Sequence, residues 1–171
     1  MFLASYYFDG AVNKIFLNSS YKVLDFFFNF VTNFAVVVAI MIIVPSIYFV
    51  KGKKINQIKI LWVSFLISVF LSFILKLAFA RHRPTLDYTE MFFYYSFPSL
   101  HAMASFSVLQ VITDNYKSSK NFFIFFVVLV AFSRLYFTVH YLSDIVFGMV
   151  CGHFIGYYVS DMFNKNIQNE T

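Results

Sequence analysis

Cysteine, charge and low-complexity sequence are all scarce in this chain of 171 residues, and each scarcity removes a class of protein. One cysteine, Cys151, excludes an intramolecular disulfide and any multi-cysteine metal cluster. Its neighbours from Gly148 to Gly156 read as a helix-packing surface, so a packed thiol is expected there. Charged residues make up 12% of the chain and hydrophobic ones 60%, against roughly 25% charged in a soluble domain, which makes this a membrane protein. The net charge of +5 comes from scattered lysines rather than basic runs, so no nucleic-acid partner is expected and membrane lipids suit the charge better. No charged leader or small-residue cleavage site accompanies the first apolar residues, and no removable signal peptide is expected. Without an internal repeat or linker, residues 1–171 read as a single domain.

What is abundant is hydrocarbon and aromatic surface. The 26 Phe and 12 Tyr read as lipid-facing packing and interfacial belts. A helix crossing a bilayer needs about 20 apolar residues, fewer where a bundle shields polar ones. On that measure the chain predicts an all-α membrane bundle with five spans: 33–50, interrupted by Pro45; 60–80, with Lys76 in its final turns; a short polar one from Pro98 to Asp114; 122–137; and 140–162. Residues 1–32 differ, because Asp9, Asn13, Lys14, Asn18, Lys22, Asp25 and Asn29 recur among aromatics. That pattern predicts helices lying in the interface, with a sixth span as the alternative.

Lysine placement orients the bundle. Lys51, Lys53, Lys54 and Lys59, then Lys117 and Lys120, then Lys165 fall on one side of five spans, the side the positive-inside rule assigns to the cytoplasm. The connections 81–97 and 134–140 fall on the opposite, outer side. Three polar clusters gather there: Lys76 with Arg83 and Pro84; Pro98 to His101; and Ser133, Arg134, His140 and Asp144.

Ionisable groups within a membrane are expensive and tend to pair, line a cavity or do chemistry. A phosphate spreads negative charge over its oxygens, and arginine's planar fork binds two of them at once. Arg83 and Arg134 fit that task, Lys76 adds a point charge, and Ser99 adds a hydroxyl donor. Pro98 predicts a helix start whose first turn holds Ser99 and His101 beside free N–H groups, a ready anion site. His140 and Asp144 lie four apart and on a helix would share a face. The carboxylate could then hold one imidazole nitrogen while the other attacks phosphorus. His101, on another helix, is left as the general acid.

Lys76 followed after six residues by Arg83-Pro84, then Pro98-Ser99-Leu100-His101, then Ser133-Arg134, five residues, His140, three residues, Asp144 resembles, in order and spacing, the three motifs of the type 2 phosphatidic acid phosphatase superfamily. The resemblance covers residues 76–144. It implies that Lys76, Arg83, Ser99 and Arg134 bind phosphate, that His140 becomes a phosphohistidine oriented by Asp144, and that His101 protonates the leaving group. It also implies no metal and no cofactor, in keeping with the lack of a carboxylate cluster. Leu100 departs from the glycine usual at its position, which predicts either an ordinary helical turn or an altered phosphate cradle. Leucine there is familiar from relatives that transfer a phosphorylated head group.

The expected activity is hydrolysis of a lipid phosphate by an integral inner-membrane protein whose site faces outward. A polyprenyl diphosphate such as the undecaprenyl carrier is the favoured substrate, because the outer loops leave little protein for recognising a large head group. Phosphatidylglycerophosphate, phosphatidic acid and lipid A phosphates are alternatives, as are a lipid phosphotransferase and a non-catalytic anion channel or carrier. Singly, Lys76 would read as a snorkelling lysine and Arg81 and Arg83 as head-group anchors. His82 is expected to face solvent, His153 to be a core histidine, and Asp87, Tyr88 and Glu90 to sit in a solvated loop.

Overall fold

The computed structural model describes residues 2–17, 21–85 and 95–169, with side chains for 8–17, 21–85 and 95–165. Asn18 and the loop residues Asp87, Tyr88 and Glu90 lie outside the described residues. All regular structure among those residues is helical: α1 (Phe2–Phe16), α2 (Lys22–Thr32), α3 (Phe34–Val38), α4 (Val44–Lys51), α5 (Ile55–Phe79), α6 (Leu100–Asn115), α7 (Lys120–Tyr136) and α8 (Leu142–Asn169). A π-helical turn, Ala39–Ile43, joins α3 to α4 just before Pro45. Proline has no N–H to donate and its ring crowds the preceding turn, so the helix widens there and continues.

Four segments are long and apolar enough to cross a membrane: Phe34–Lys51, Ile55–Phe79, Lys117–Tyr136 and Leu142–Lys165. Four of the five expected spans correspond to these. The remaining one is α6, whose 16 residues rise about 24 Å, short of the hydrocarbon core. It packs against α5, α7 and α8, so its lipid exposure is small and its serines are tolerated.

Small residues bring these helices together. A Cβ added to Gly148 would lie 2.9 Å from the Ser99 carbonyl oxygen, one on Gly152 2.3 Å from that of Met103, and one on Gly156 2.2 Å from that of Ser107. The expected packing surface on α8 is therefore the seam with α6, and without a hydrophobic drive between helices such close approach supplies the attraction. On α5 a stripe four residues apart, Ser64, Ser68, Ser72 and Lys76, is buried. The Ser107 hydroxyl donates to that of Ser68 across the α5–α6 contact at 3.2 Å. His153 corrects an expectation. It is exposed on α8, because one residue beyond Gly152 turns the side chain about 100° away from the seam. Cys151 is half-buried and unpaired, and His82 is exposed.

The antiparallel connections sort the polar groups to opposite ends. At one end Lys54 Nζ donates to Asn115 Oδ1 at 3.0 Å, close to the other expected cytoplasmic lysines. At the other end α1 and α2 pack on α7 and α8. Neither is a candidate span, and their outward residues include Phe8, Ile15, Val23, Phe26 and Phe30. Asp9 and Asn13 instead point into the protein and are buried.

Replacing Gly152 with alanine should push α8 off α6 and cost about 1–3 kcal/mol as an overpacked contact. Gly10→Ala, where nothing lies within 4 Å of the new Cβ and the residue is inside α1, should not lower stability and should raise it by up to about 1 kcal/mol through helix propensity. Thermal unfolding in detergent checks both, and equal midpoints for Gly152→Ala and wild type would contradict the seam.

Candidate functional site

Lys76 occupies the last turn of α5, one turn beyond Ser72 on the buried stripe. Its ammonium donates to the Tyr95 carbonyl at 2.5 Å. Ala80 ends the helix in the left-handed region, φ 43°, and turns the chain back across the bundle end. That conformation costs an L-residue about 1–2 kcal/mol. Arg83, on the returning segment, donates to the Val139 carbonyl at 3.2 Å, and the Thr85 hydroxyl donates to that of Thr138 at 3.0 Å. Thr138 also has positive φ, 49°. Both connections that carry site residues thus hold strained backbone and brace one another.

The second cluster opens α6. Ser99 is the N-cap, its N–H donates to the Asp144 carbonyl at 3.1 Å, and its hydroxyl is buried without a partner. Leu100 is the first helical residue and is not among the positive-φ positions. This is the ordinary helical turn of the two alternatives. In that first turn His101 Nε2 lies 3.0 Å from the Thr32 carbonyl, and its ring makes a T-shaped contact with that of Phe34.

The third cluster spans the turn from α7 to α8. Arg134, in the last turn of α7, donates from Nη1 to the Thr32 hydroxyl at 2.5 Å, while its Nε is buried without a partner. His140 does not lie on α8 as expected, since the helix begins at Leu142. It sits in the preceding turn, 2% exposed, and its Nδ1 is 3.7 Å from Asp144 Oδ2, beyond hydrogen-bond reach. Asp144 Oδ2 instead caps the helix start by accepting from the Tyr141 N–H at 2.9 Å. Burial holds the His140 imidazole well below its ordinary pKa, and Arg83, Arg134 and Lys76 push it the same way, so the ring is neutral.

All seven residues expected at the site come together: Lys76, Arg83, Ser99, His101, Arg134, His140 and Asp144. Lys76 meets a backbone carbonyl and Arg134 a hydroxyl rather than carboxylates. Together with Arg83 they form a cationic clamp around a neutral imidazole. Ser99 Oγ and Arg134 Nε are left with hydrogen-bonding capacity that an oxyanion would satisfy, and His140 Nδ1, also without a partner, faces Asp144 Oδ2. No group of three His, Cys, Asp or Glu among the described residues is placed to hold a metal ion.

Four residues at this site had no sequence signal of their own. Arg81, expected as a head-group anchor, donates from Nη1 to Asp144 Oδ1 at 2.6 Å and to the Ser143 hydroxyl at 2.7 Å. From Nη2 it reaches Asp9 on α1 at 2.8 Å. Thr32, at the end of α2, contacts both His101 and Arg134.

The sequence model of the PAP2 superfamily matches residues 57–168. No curated protein sequence matches the chain. The crystal structure of Aquifex aeolicus LpxE superimposes with a TM-score of 0.72 at 21% identity, covering 88% of this chain and 93% of that one. A transmembrane PAP2-type phosphatidylglycerolphosphate phosphatase from Bacillus subtilis gives a TM-score of 0.75 at 20% identity, covering 95% and 87%. At such identities the two solved structures show a shared fold.

Orthovanadate, a phosphate mimic, checks the clamp. Its affinity for the detergent-solubilised protein should fall about tenfold or more in Arg134→Ala, as expected for loss of a charge-assisted contact. It should be unchanged in Lys165→Ala, whose side chain pairs with Asp161 on the surface. Equal affinity in the arginine variant would contradict the clamp.

Proposed function

The chain belongs to the PAP2 superfamily, and from that premise we propose that it is a membrane lipid phosphatase acting through a phosphohistidine on His140. The observation that carries this reading is the meeting of three separated motifs around a buried imidazole, with Lys76, Arg83 and Arg134 near it and buried polar atoms of Ser99 and Arg134 left without a partner. Lys76, Arg83, Arg134 and Ser99 hold the non-bridging oxygens and offset the charge that spreads over them in the transition state. A neutral His140 nitrogen attacks phosphorus. The phosphorus–oxygen bond to the lipid breaks as the P–N bond forms, and the leaving oxygen takes a proton from His101, which the negative charge of the bound phosphate keeps in its imidazolium form until that transfer. Water then attacks the phosphohistidine with His101 as base, releasing orthophosphate and restoring both rings. Asp144 stabilises the charge that develops on His140 once their 3.7 Å separation closes.

No step in this sequence needs a metal. The lipid tail would lie against the bundle, where an apolar groove of about 380 Å³ runs between α5 and α8, lined by Ile67, Leu71, Phe154 and Ile155. Lysines at the opposite end support an inner-membrane protein with its site facing outward. A polyprenyl diphosphate is the proposed substrate, because a short chain with this site offers few groups for a large head group. Phosphatidylglycerophosphate is the second reading, favoured by the Bacillus subtilis fold neighbour. Leu100 begins an ordinary helix and gives no added support to head-group transfer. An anion carrier would need the cations but not a neutral imidazole beside a second histidine.

The test is phosphate release from undecaprenyl diphosphate, phosphatidylglycerophosphate, phosphatidic acid and lipid A side by side, with chelator present and an acceptor lipid added. The expected result is fastest release from the diphosphate, undiminished by chelator. Fastest release from phosphatidylglycerophosphate would select the second reading. Phosphate on the acceptor would make the protein a transferase, and no turnover of any lipid would overturn the phosphatase.

A further inference from the structure

Asp9 and Arg81 have no part in the chemistry above, yet they form a densely bonded polar cluster with Ser143 and Asp144. Asp9 is 2% exposed on α1, 134 positions before Ser143 in the chain. One of its oxygens accepts from the Ser143 N–H at 2.9 Å, and the other accepts from the Ser143 hydroxyl at 2.6 Å and Arg81 Nη2 at 2.8 Å. Arg81 lies over the Tyr141 ring, 3.9 Å from its centroid, with Nη1 on Asp144 Oδ1. Its two forks therefore grip two carboxylates at once, a geometry that a lysine's point charge cannot reproduce.

We propose that Asp9, acting through Arg81, is a positioning residue that fixes the Asp144 carboxylate beside His140, so that the N-terminal helix completes the catalytic centre. The physical need comes from the clamp. Asp144 stands near Lys76, and Arg83 and Arg134 lie around the same imidazole. A carboxylate free to rotate would turn toward those cations and compete with the substrate phosphate for them. Arg81 holds Oδ1 on the far side, while Oδ2, which accepts from the Tyr141 N–H, stays on the side of the ring. A single arginine could itself swing with Asp144, and Asp9, anchored to the Ser143 backbone at the start of α8, prevents that. The tether crosses three parts of the fold: α1, the segment after α5 and the first turn of α8.

This inference rests on the phosphatase reading for its kinetic consequence but not for its structural one. The experiment compares wild type with Asp9→Asn, Asp9→Glu, Arg81→Lys and Lys165→Ala in detergent. Asp9→Asn and Arg81→Lys should lower kcat about tenfold while KM changes about twofold or less, because an oriented group is lost and the clamp is not. Asp9→Glu, which keeps the charge, should recover part of the rate, and Lys165→Ala should match wild type. The ring nitrogens of His140 provide the second readout, in protein carrying ¹⁵N-labelled histidine and assigned by the signal missing in His140→Ala. They should shift in Asp9→Asn and Arg81→Lys and stay in place in Lys165→Ala. Wild-type kcat and unmoved His140 signals in Asp9→Asn would overturn the proposal, as would a rate lost solely through a collapsed melting temperature. If wild type releases phosphate from no lipid, the phosphatase reading falls while the His140 signals still decide the tether.

Discussion

Lys76, Arg83 and Arg134 bear like charges around one buried ring, in surroundings that screen poorly, and the rest of the bundle is arranged to hold them there. Repulsion of that kind drives side chains apart unless each is tied to something rigid. Lys76 is tied to the Tyr95 carbonyl, Arg83 donates to that of Val139, and Arg134 is tied to the Thr32 hydroxyl; for Lys76 and Arg134 these neutral partners leave the positive charge in place. Carboxylates would cancel the field that an anionic ligand is drawn to. Among the described residues the one acid inside the cluster, Asp144, has an oxygen occupied by a fourth cation outside it.

Helix packing makes such an arrangement affordable in position as well as in energy. The glycine seam lets α8 approach the α6 backbone closely, which sets the Asp144 carbonyl on the Ser99 N–H. Two of the motifs are thereby fixed to one another through main chain. The third reaches them because α5 ends at Ala80 in a left-handed turn and sends Arg81 and Arg83 across to the α7–α8 connection. Short α1 and α2 cover the same end and contribute Asp9 and Thr32.

Much of this was legible from the chain because the signals were local. Lys76 and Arg83, or Ser133 and Arg134, are close in sequence and need only one helix end to be placed. Apolar runs likewise marked four spans, and a short polar run marked α6. Distant or rotational facts were not legible. Nothing near Asp9 distinguishes it from Lys14 or Asp25, and its role depends on a partner 134 positions away. The exposure of His153 follows from where the glycines fall around α8, one residue from a buried position. His140 and Asp144 have helical spacing, but α8 starts two residues after His140, so the spacing did not produce a hydrogen bond.

The central claim is that the three motifs converge to make His140 a nucleophile toward phosphorus. Rapid mixing with a lipid substrate labelled with ³²P on its terminal phosphate, an alkaline quench that preserves phosphohistidine, and peptide mapping test it directly. The account predicts a transient, acid-labile label on the peptide containing His140, appearing before free phosphate and absent when that residue is alanine. Label on another side chain, or steady phosphate release with no labelled protein at any time, would contradict it.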